Sequence, residues 1–161
     1  KGLAKTSGKP GKTITINHFL INENWYLVDL PGYGFAKRSK SAREQWKKML
    51  FDYLKRRQNL VYTFVLIDSR LEPQSNDLEF MSWLGENQLP FIIIFTKSDK
   101  LGTVKLNQHI KAYKKELLRY WEELPVSFVS SAINKTGRDE ILSLIDSENK
   151  LFSDYSSSII S

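Results

Sequence analysis

Two short stretches carry the side chains best suited to chemistry. Thr96-Lys97-Ser98-Asp99 follows the apolar run Phe91–Phe95 without a spacer, and Asp29-Leu30-Pro31-Gly32 follows Trp25-Tyr26-Leu27-Val28. An ionised carboxylate only accepts hydrogen bonds. Placed just past a buried strand, Asp99 could accept two, from the N1–H and the 2-amino group of guanine. Adenine has neither hydrogen and would leave the carboxylate unpaired; sites built on such pairing discriminate by about 10⁴-fold. Lys97 could lay its methylene stem along a base, and the Thr96 hydroxyl could tie neighbouring loops together. At the other stretch, Asp29 could hold a water on Mg²⁺, and the N–H of Gly32 could approach a γ-phosphate because no Cβ intervenes. Upstream, Gly11-Lys12-Thr13 sets the Thr13 hydroxyl just ahead of a strand, where it could ligate the same ion. Downstream, Val129-Ser130-Ser131-Ala132 could offer backbone N–H groups to a purine carbonyl. Taken singly, each stretch also fits a solvated turn, since Gly and Pro punctuate most strand ends.

The elements around these stretches decide whether they can act together. Alternation over Thr13–Ile21 predicts a half-buried strand with Ile14 and Ile16 facing inward. Asn22-Glu23-Asn24 makes a turn into a second strand, Trp25–Asp29, giving a hairpin. Trp46, Met49, Leu50, Tyr53 and Leu54 recur at helical spacing within a helix over Ser39–Gln58. Leu60–Asp68 is a continuous apolar, β-branched run, as a strand covered on both faces requires. Ser75 caps a helix reaching about Asn87, and Phe91–Phe95 is another buried strand. A basic helix follows, with Leu106, Ile110, Tyr113, Leu117 and Tyr120 on one stripe. Val126–Ser131 is the next strand, and Thr136, with Asp139 or Glu140 in the first turn, opens the last helix. After the hairpin, strands and helices alternate strictly. That predicts an α/β fold: a mostly parallel sheet with one antiparallel edge hairpin and helices on both faces. Ligands of such sheets bind beyond the carboxyl ends of the strands, where Asp29, Thr96–Asp99 and Ser130-Ser131 all fall.

Composition narrows the setting. At 161 residues the chain is the size of one domain, and 41% hydrophobic with 26% charged residues is globular rather than disordered. The absence of cysteine removes disulfides and thiolate metal sites and fits a reducing, cytoplasm-like compartment. No apolar run approaches the roughly 18 residues that span a bilayer. A net charge of +6 favours a polyanionic partner. The residues from Ser153 on, rich in serine, read as a loose tail (153–161) behind a domain over 1–152. His18 and His109 have no metal-ligand spacing and read as core or surface residues.

Together, Pro10-Gly11-Lys12-Thr13, Asp29-Leu30-Pro31-Gly32, Thr96-Lys97-Ser98-Asp99 and Val129-Ser130-Ser131-Ala132, in this order and at these strand ends, resemble the TRAFAC-class GTPases. The stretch "DLPGYGFAKRSK", with Thr96 where most relatives carry Asn, looks specifically like the EngB/YihA/YsxC family of ribosome-assembly GTPases. The resemblance runs from about Thr6 to about Leu144. It implies a Ras-like P-loop GTPase fold, GTP or GDP with Mg²⁺ as cofactors, and a slow GTPase in the full-length protein. It also implies assembly of the large ribosomal subunit as the task, a monomer without membrane contact, and a link to cell division and septation. By it, Thr13 is the switch I threonine and a metal ligand, and Gly11, Lys12, Ile14 and Thr15 around it bind the cofactor. Asp29, Leu30, Pro31 and Gly32 open switch II, with Asp29 reaching the metal through water. Thr96, Lys97, Ser98 and Asp99 select guanine, and Val129, Ser130, Ser131 and Ala132 form the last base-contacting loop. Lys37, Arg38, Lys40 and Arg43, crowded after switch II, become candidates for ribosomal RNA contact. Lys47, Lys48, Lys55, Arg56 and Arg57 could equally solvate a helix face.

The chain departs from the family pattern in two ways. It has no Walker A loop: "GKPGKT" matches only the end of G-x-x-x-x-G-K-[ST], because residue 6 is threonine, and a strand rather than a helix follows. The sequence therefore reads as the C-terminal portion of a longer protein, with one strand–loop–helix unit of roughly 30 to 40 residues upstream. As it stands, this fragment is not expected to be active. Secondly, Tyr33 follows Gly32 where Ras-like enzymes place a water-orienting glutamine. A phenol does not imitate an amide, so intrinsic hydrolysis should be slow and no residue is assigned as catalytic. The competing reading is a non-enzymatic RNA-binding domain on a degenerate GTPase fold. An ATPase conflicts with Thr96-Lys97-Ser98-Asp99.

Overall fold

A computed structural model describes residues 16–32 and 40–160, without the side chains of residues 40, 42, 43 and 156–160. The chain divides into two compact units, Lys1–Gln58 and Asn59–Ser161.

In the first unit, β1 (Asn17–Ile21) pairs antiparallel with β2 (Trp25–Asp29), Asn17 opposite Asp29 and Ile21 opposite Trp25. Of the expected strand over Thr13–Ile21, Asn17–Ile21 is seen as strand, while Thr13, Ile14 and Thr15 lie outside the described residues. The turn closes through Asn24 N–H donating to the Ile21 carbonyl at 3.0 Å. Asn22 and Glu23 both sit in the left-handed region, φ 49° and 56°, the backbone shape that matches the twist of a tight hairpin. Helix α1 (Lys40–Arg56) buries Trp46, Leu50 and Leu54, one residue per turn. Its Tyr53 hydroxyl lies 2.9 Å from Nε2 of His18, so that histidine joins helix to hairpin.

The second unit is built on a parallel sheet ordered β3 (Thr63–Asp68), β4 (Phe91–Thr96), β5 (Ser127–Val129). Parallel neighbours need crossovers. α2 (Ser75–Glu86) connects β3 to β4, and a single 3₁₀ turn (Ser98–Lys100) and α3 (Thr103–Leu117) connect β4 to β5. α4 (Arg138–Ile160) follows β5 and continues through the segment from Ser153 that composition reads as tail. The core is Val65 and Ile67 of β3, Ile92 to Phe95 of β4, Phe80, Met81 and Leu84 of α2, and Tyr113 and Leu117 of α3.

Four local expectations are corrected. Ser75 is the first helical residue and does not cap; Gln74 holds the cap position, its carbonyl accepting from the N–H groups of Asp77 and Leu78. Thr136 does not cap α4, because its hydroxyl donates to Asn134 Oδ1 at 2.8 Å. Gly137 takes that place, its carbonyl accepting from Ile141 N–H at 3.1 Å. Tyr120 is exposed, since α3 ends at Leu117 and the stripe ends with it. Finally, β3 is covered on one face only among the described residues: Val65 and Ile67 are buried while Leu66 between them is 63% exposed. Among the described residues, no helix is long and apolar enough to cross a membrane.

Candidate functional site

The parallel register of the second unit brings three strand ends level. Asp68 stands opposite Thr96, and Phe95 opposite Val129. The loops that leave β3, β4 and β5 are then laced together. Thr96 Oγ1 donates to the Ile67 carbonyl at 3.0 Å, so the hydroxyl ties the ends of β3 and β4 rather than two loops. In return the Thr96 carbonyl accepts from the N–H of buried Ser69 at 3.0 Å and from its hydroxyl at 2.7 Å. Ser98 N–H donates to the Ser130 carbonyl at 3.1 Å, and Ser130 N–H to the Phe95 carbonyl at 2.7 Å. His109 reaches the same corner, donating from Nδ1 to the Ser69 carbonyl at 3.0 Å. Among the described residues, no group of three His, Cys, Asp or Glu is placed to hold a metal ion.

Asp99 sits at the centre of this lacing. Its Oδ1 accepts from Ser131 Oγ at 2.6 Å, and its Oδ2 lies 3.2 Å from the ammonium of Lys100. The Ser131 hydroxyl is itself oriented, because its oxygen accepts from Ile133 N–H at 3.1 Å and Asn134 N–H at 3.4 Å. Its proton is thereby directed at Asp99. That donated bond, with the Lys100 ammonium in support, holds the Asp99 carboxyl below the usual carboxylate range. Asp99 is therefore a charged, fixed acceptor, and Ser131 occupies only one of the lone pairs of Oδ1.

The loop after β5 closes on itself through Ser131 N–H donating to the Thr136 carbonyl at 3.1 Å. Its amide groups are unequal. Those of Ser130 and Ser131 are committed inside the protein, whereas Ala132 N–H has no acceptor among the described residues. Of Ser130, Ser131 and Ala132, Ala132 is thus the donor left for a purine carbonyl. Gly137 ends the loop at φ 72°, and a Cβ there would lie 2.0 Å from the Val129 carbonyl oxygen.

Lys97 also has a left-handed backbone, φ 59°, and its ammonium donates to Asp68 Oδ2 at 2.9 Å. Asp68 further binds the Arg70 guanidinium, and that pairing, above all, holds its carboxyl well below the usual range. Sequence reasoning took Asp68 only as the end of a strand. The rule that found Asp99, a polar residue immediately past a buried apolar run, applies to Asp68-Ser69-Arg70 as well.

The remaining predicted residues belong to the first unit or lie outside the described residues. Asp29 ends β2 in the first unit, exposed and with no hydrogen-bond or ion-pair partner among the described residues. Leu30 and Pro31 are half-buried there, and Gly32 is exposed. Gly11, Lys12, Thr13, Ile14, Thr15, Lys37 and Arg38 lie outside the described residues. Lys40 and Arg43 belong to α1, with side chains outside the description.

Comparison with known proteins agrees with this chemistry. The family model described as 50S ribosome-binding GTPase matches residues 1–97. The chain is 57% identical over 150 residues to the probable GTP-binding protein EngB of Bacteroides thetaiotaomicron, covering 93% of this chain and 74% of that protein. The corresponding protein of Flavobacterium psychrophilum is 55% identical over 151 residues, again with 93% and 74% covered. Among solved structures, a probable GTP-binding protein EngB aligns with a TM-score of 0.59 over 89% of this chain and 88% of that one, at 19% identity. Translation elongation factor SelB from Methanococcus maripaludis, in complex with the GTP analogue GPPNHP, aligns with a TM-score of 0.63 at 20% identity, covering 84% of this chain and 27% of that one. At these identities the solved structures show the fold: α/β, of the P-loop GTPase type.

Proposed function

The chain belongs to the EngB family of GTP-binding proteins, and from that premise we propose that it acts as a Mg²⁺-dependent GTPase in assembly of the large ribosomal subunit. The observation that carries the guanine part is the Asp99 carboxylate, kept ionised and aimed by Ser131 while retaining free lone pairs. It accepts the N1–H and 2-amino group of the base, and Ala132 N–H donates to the purine carbonyl. In the full-length protein, titration with labelled GDP and ADP should show GDP bound tighter by at least about 10³-fold. Equal affinities would overturn the reading. A non-enzymatic RNA-binding domain would bind neither nucleotide.

Mg²⁺ would be held by Thr13 directly and by Asp29 through water. The exposed carboxylate of Asp29, without a partner among the described residues, is the hard oxygen donor that this ion takes. When bound, the ion neutralises charge on the β- and γ-phosphates. Tyr33 supplies no amide to orient water, so hydrolysis by the protein alone is slow and awaits a partner or a monovalent cation.

The family model's description, 50S ribosome-binding GTPase, supports a ribosomal partner. Lys37, Arg38, Lys40 and Arg43 follow Gly32 closely, so ordering of switch II by a γ-phosphate would present them to ribosomal RNA. Large-subunit binding by a Lys37→Ala, Arg38→Ala variant should weaken. Its log–log salt slope should flatten by roughly 0.7 to 0.9 for each lost phosphate contact. Unaltered affinity and slope with both GDP and a GTP analogue would remove these residues from the interface.

A further inference from the structure

We propose that Asp68 is a positioning residue for guanine recognition: it captures the Lys97 ammonium and the Arg70 guanidinium and so leaves the Asp99 carboxylate open to the base. The inference rests on the reading of Asp99 as the guanine acceptor.

The geometry sets the direction of dependence. Arg70 alone saturates Asp68, with Nε donating to Oδ1 at 2.9 Å and to Oδ2 at 3.2 Å. Its Nη2 adds a bond to Oδ2 at 2.7 Å, and its backbone N–H one to Oδ1 at 3.1 Å. Asp68 therefore gains little from Lys97, whereas Lys97 gains a fixed endpoint for a side chain that is otherwise half exposed. One carboxylate thus restrains two cations that would otherwise join Lys100, whose ammonium is already 3.2 Å from Asp99 Oδ2, in competing for Asp99. Lys97 precedes it by two residues, and the Asp99 charge already contributes to stabilising the Arg70 guanidinium.

If the Asp68 charge is removed, two like charges are left side by side with Asp99 as an alternative anion. A guanidinium forks onto a carboxylate through two parallel N–H groups. Those are the two donor positions that guanine would occupy, so a cation moving onto Asp99 competes directly with the base. A carboxylate that merely stiffened the turn after β3 would have no such effect on base choice.

Inosine diphosphate separates the two roles, because its base keeps N1–H and lacks the 2-amino group. The full-length protein should prefer GDP over IDP by about tenfold or more, the value of one hydrogen bond to a charged group. Asp68→Asn should weaken GDP by about tenfold and cut the GDP:IDP ratio at least about threefold, since GDP loses two bonds at a blocked Asp99 and IDP loses one. Asp68→Glu, which keeps the charge and secures the test if the Asn variant melts early, should hold that ratio within about twofold of the parent. An unchanged ratio in Asp68→Asn, with or without a general loss of affinity, would overturn the proposal. So would a ratio in Asp68→Glu as low as in Asp68→Asn. Failure of the parent to bind GDP would overturn the guanine reading itself, and this inference with it.

Discussion

Replacing Asp99 by asparagine should weaken GDP and GTP binding by at least about tenfold, and by up to about 10²-fold, while improving xanthosine diphosphate. Hydrogen bonds to a charged group contribute about 1.5–3 kcal/mol each, so even one lost bond accounts for the lower bound. Guanine presents two donors, and an amide can satisfy only one of them with its oxygen. Its NH₂ group would face the 2-amino group, donor against donor. Xanthine carries a carbonyl at that place, which the same NH₂ group can meet. Ser131 fixes which oxygen of Asp99 points inward, at 2.6 Å, so the exchange of partners should be sharp rather than averaged over rotamers. Titrations of the full-length variant with labelled GDP and XDP would measure both effects, and unchanged affinity for both would take Asp99 out of the site.

Gly137→Ala should lower the melting temperature by roughly 4–24 °C and weaken GDP binding with it. Two costs combine. The residue stands at φ 72°, where a Cβ is strained, and that Cβ would meet the Val129 carbonyl oxygen at 2.0 Å. Backbone strain of this kind costs about 1–3 kcal/mol, and overpacking typically adds a similar amount. For a chain of this size each kcal/mol is about 2–4 °C. The obstructing atom is backbone at the end of β5, so relief must come from the loop over residues 131–137, which carries Ser131 and Ala132. Calorimetry and GDP titration on one preparation would test the coupling. Lost affinity without lost stability, or stability lost with affinity intact, would contradict it.

The parallel architecture was legible because buried strands announce themselves: Phe91–Thr96 and Thr63–Asp68 are nearly unbroken apolar runs, and each ends on a polar residue. Thr96, Ser131 and Asp99 could be grouped as a candidate base site by that rule and by likeness to known motifs. Asp68 could not, because what distinguishes it is the pair of cations that converge on it, one from the turn after its own strand and one from the loop after β4. Sequence spacing carries no sign of such convergence. Nor could it separate Ala132 from its neighbours, since which amide stays free depends on where Phe95 and Thr136 place their carbonyls. The capping residues were misjudged for a related reason. Ser75 and Thr136 are good caps by type, yet Gln74 and Gly137 supply the carbonyls that start the helices, and the Thr136 hydroxyl is drawn to Asn134. Leu66 shows the limit of composition: an apolar run marks a strand without telling how many of its faces are covered.

The position of β4 bears on how long a nucleotide stays. This strand is paired on both sides, and Ile92 through Phe95 are buried without a gap. Segments of that kind open last, so their amide protons should be among the slowest in the unit to exchange with solvent. The loop that carries Asp99, proposed to read the base, hangs directly from this strand. A guanine nucleotide seated there cannot wait for its seat to melt. Its residence time is set by the contacts at Asp99, Ala132 and the phosphate-facing segments, and any factor that accelerates nucleotide release must prise at those loops while the sheet beneath them stays shut.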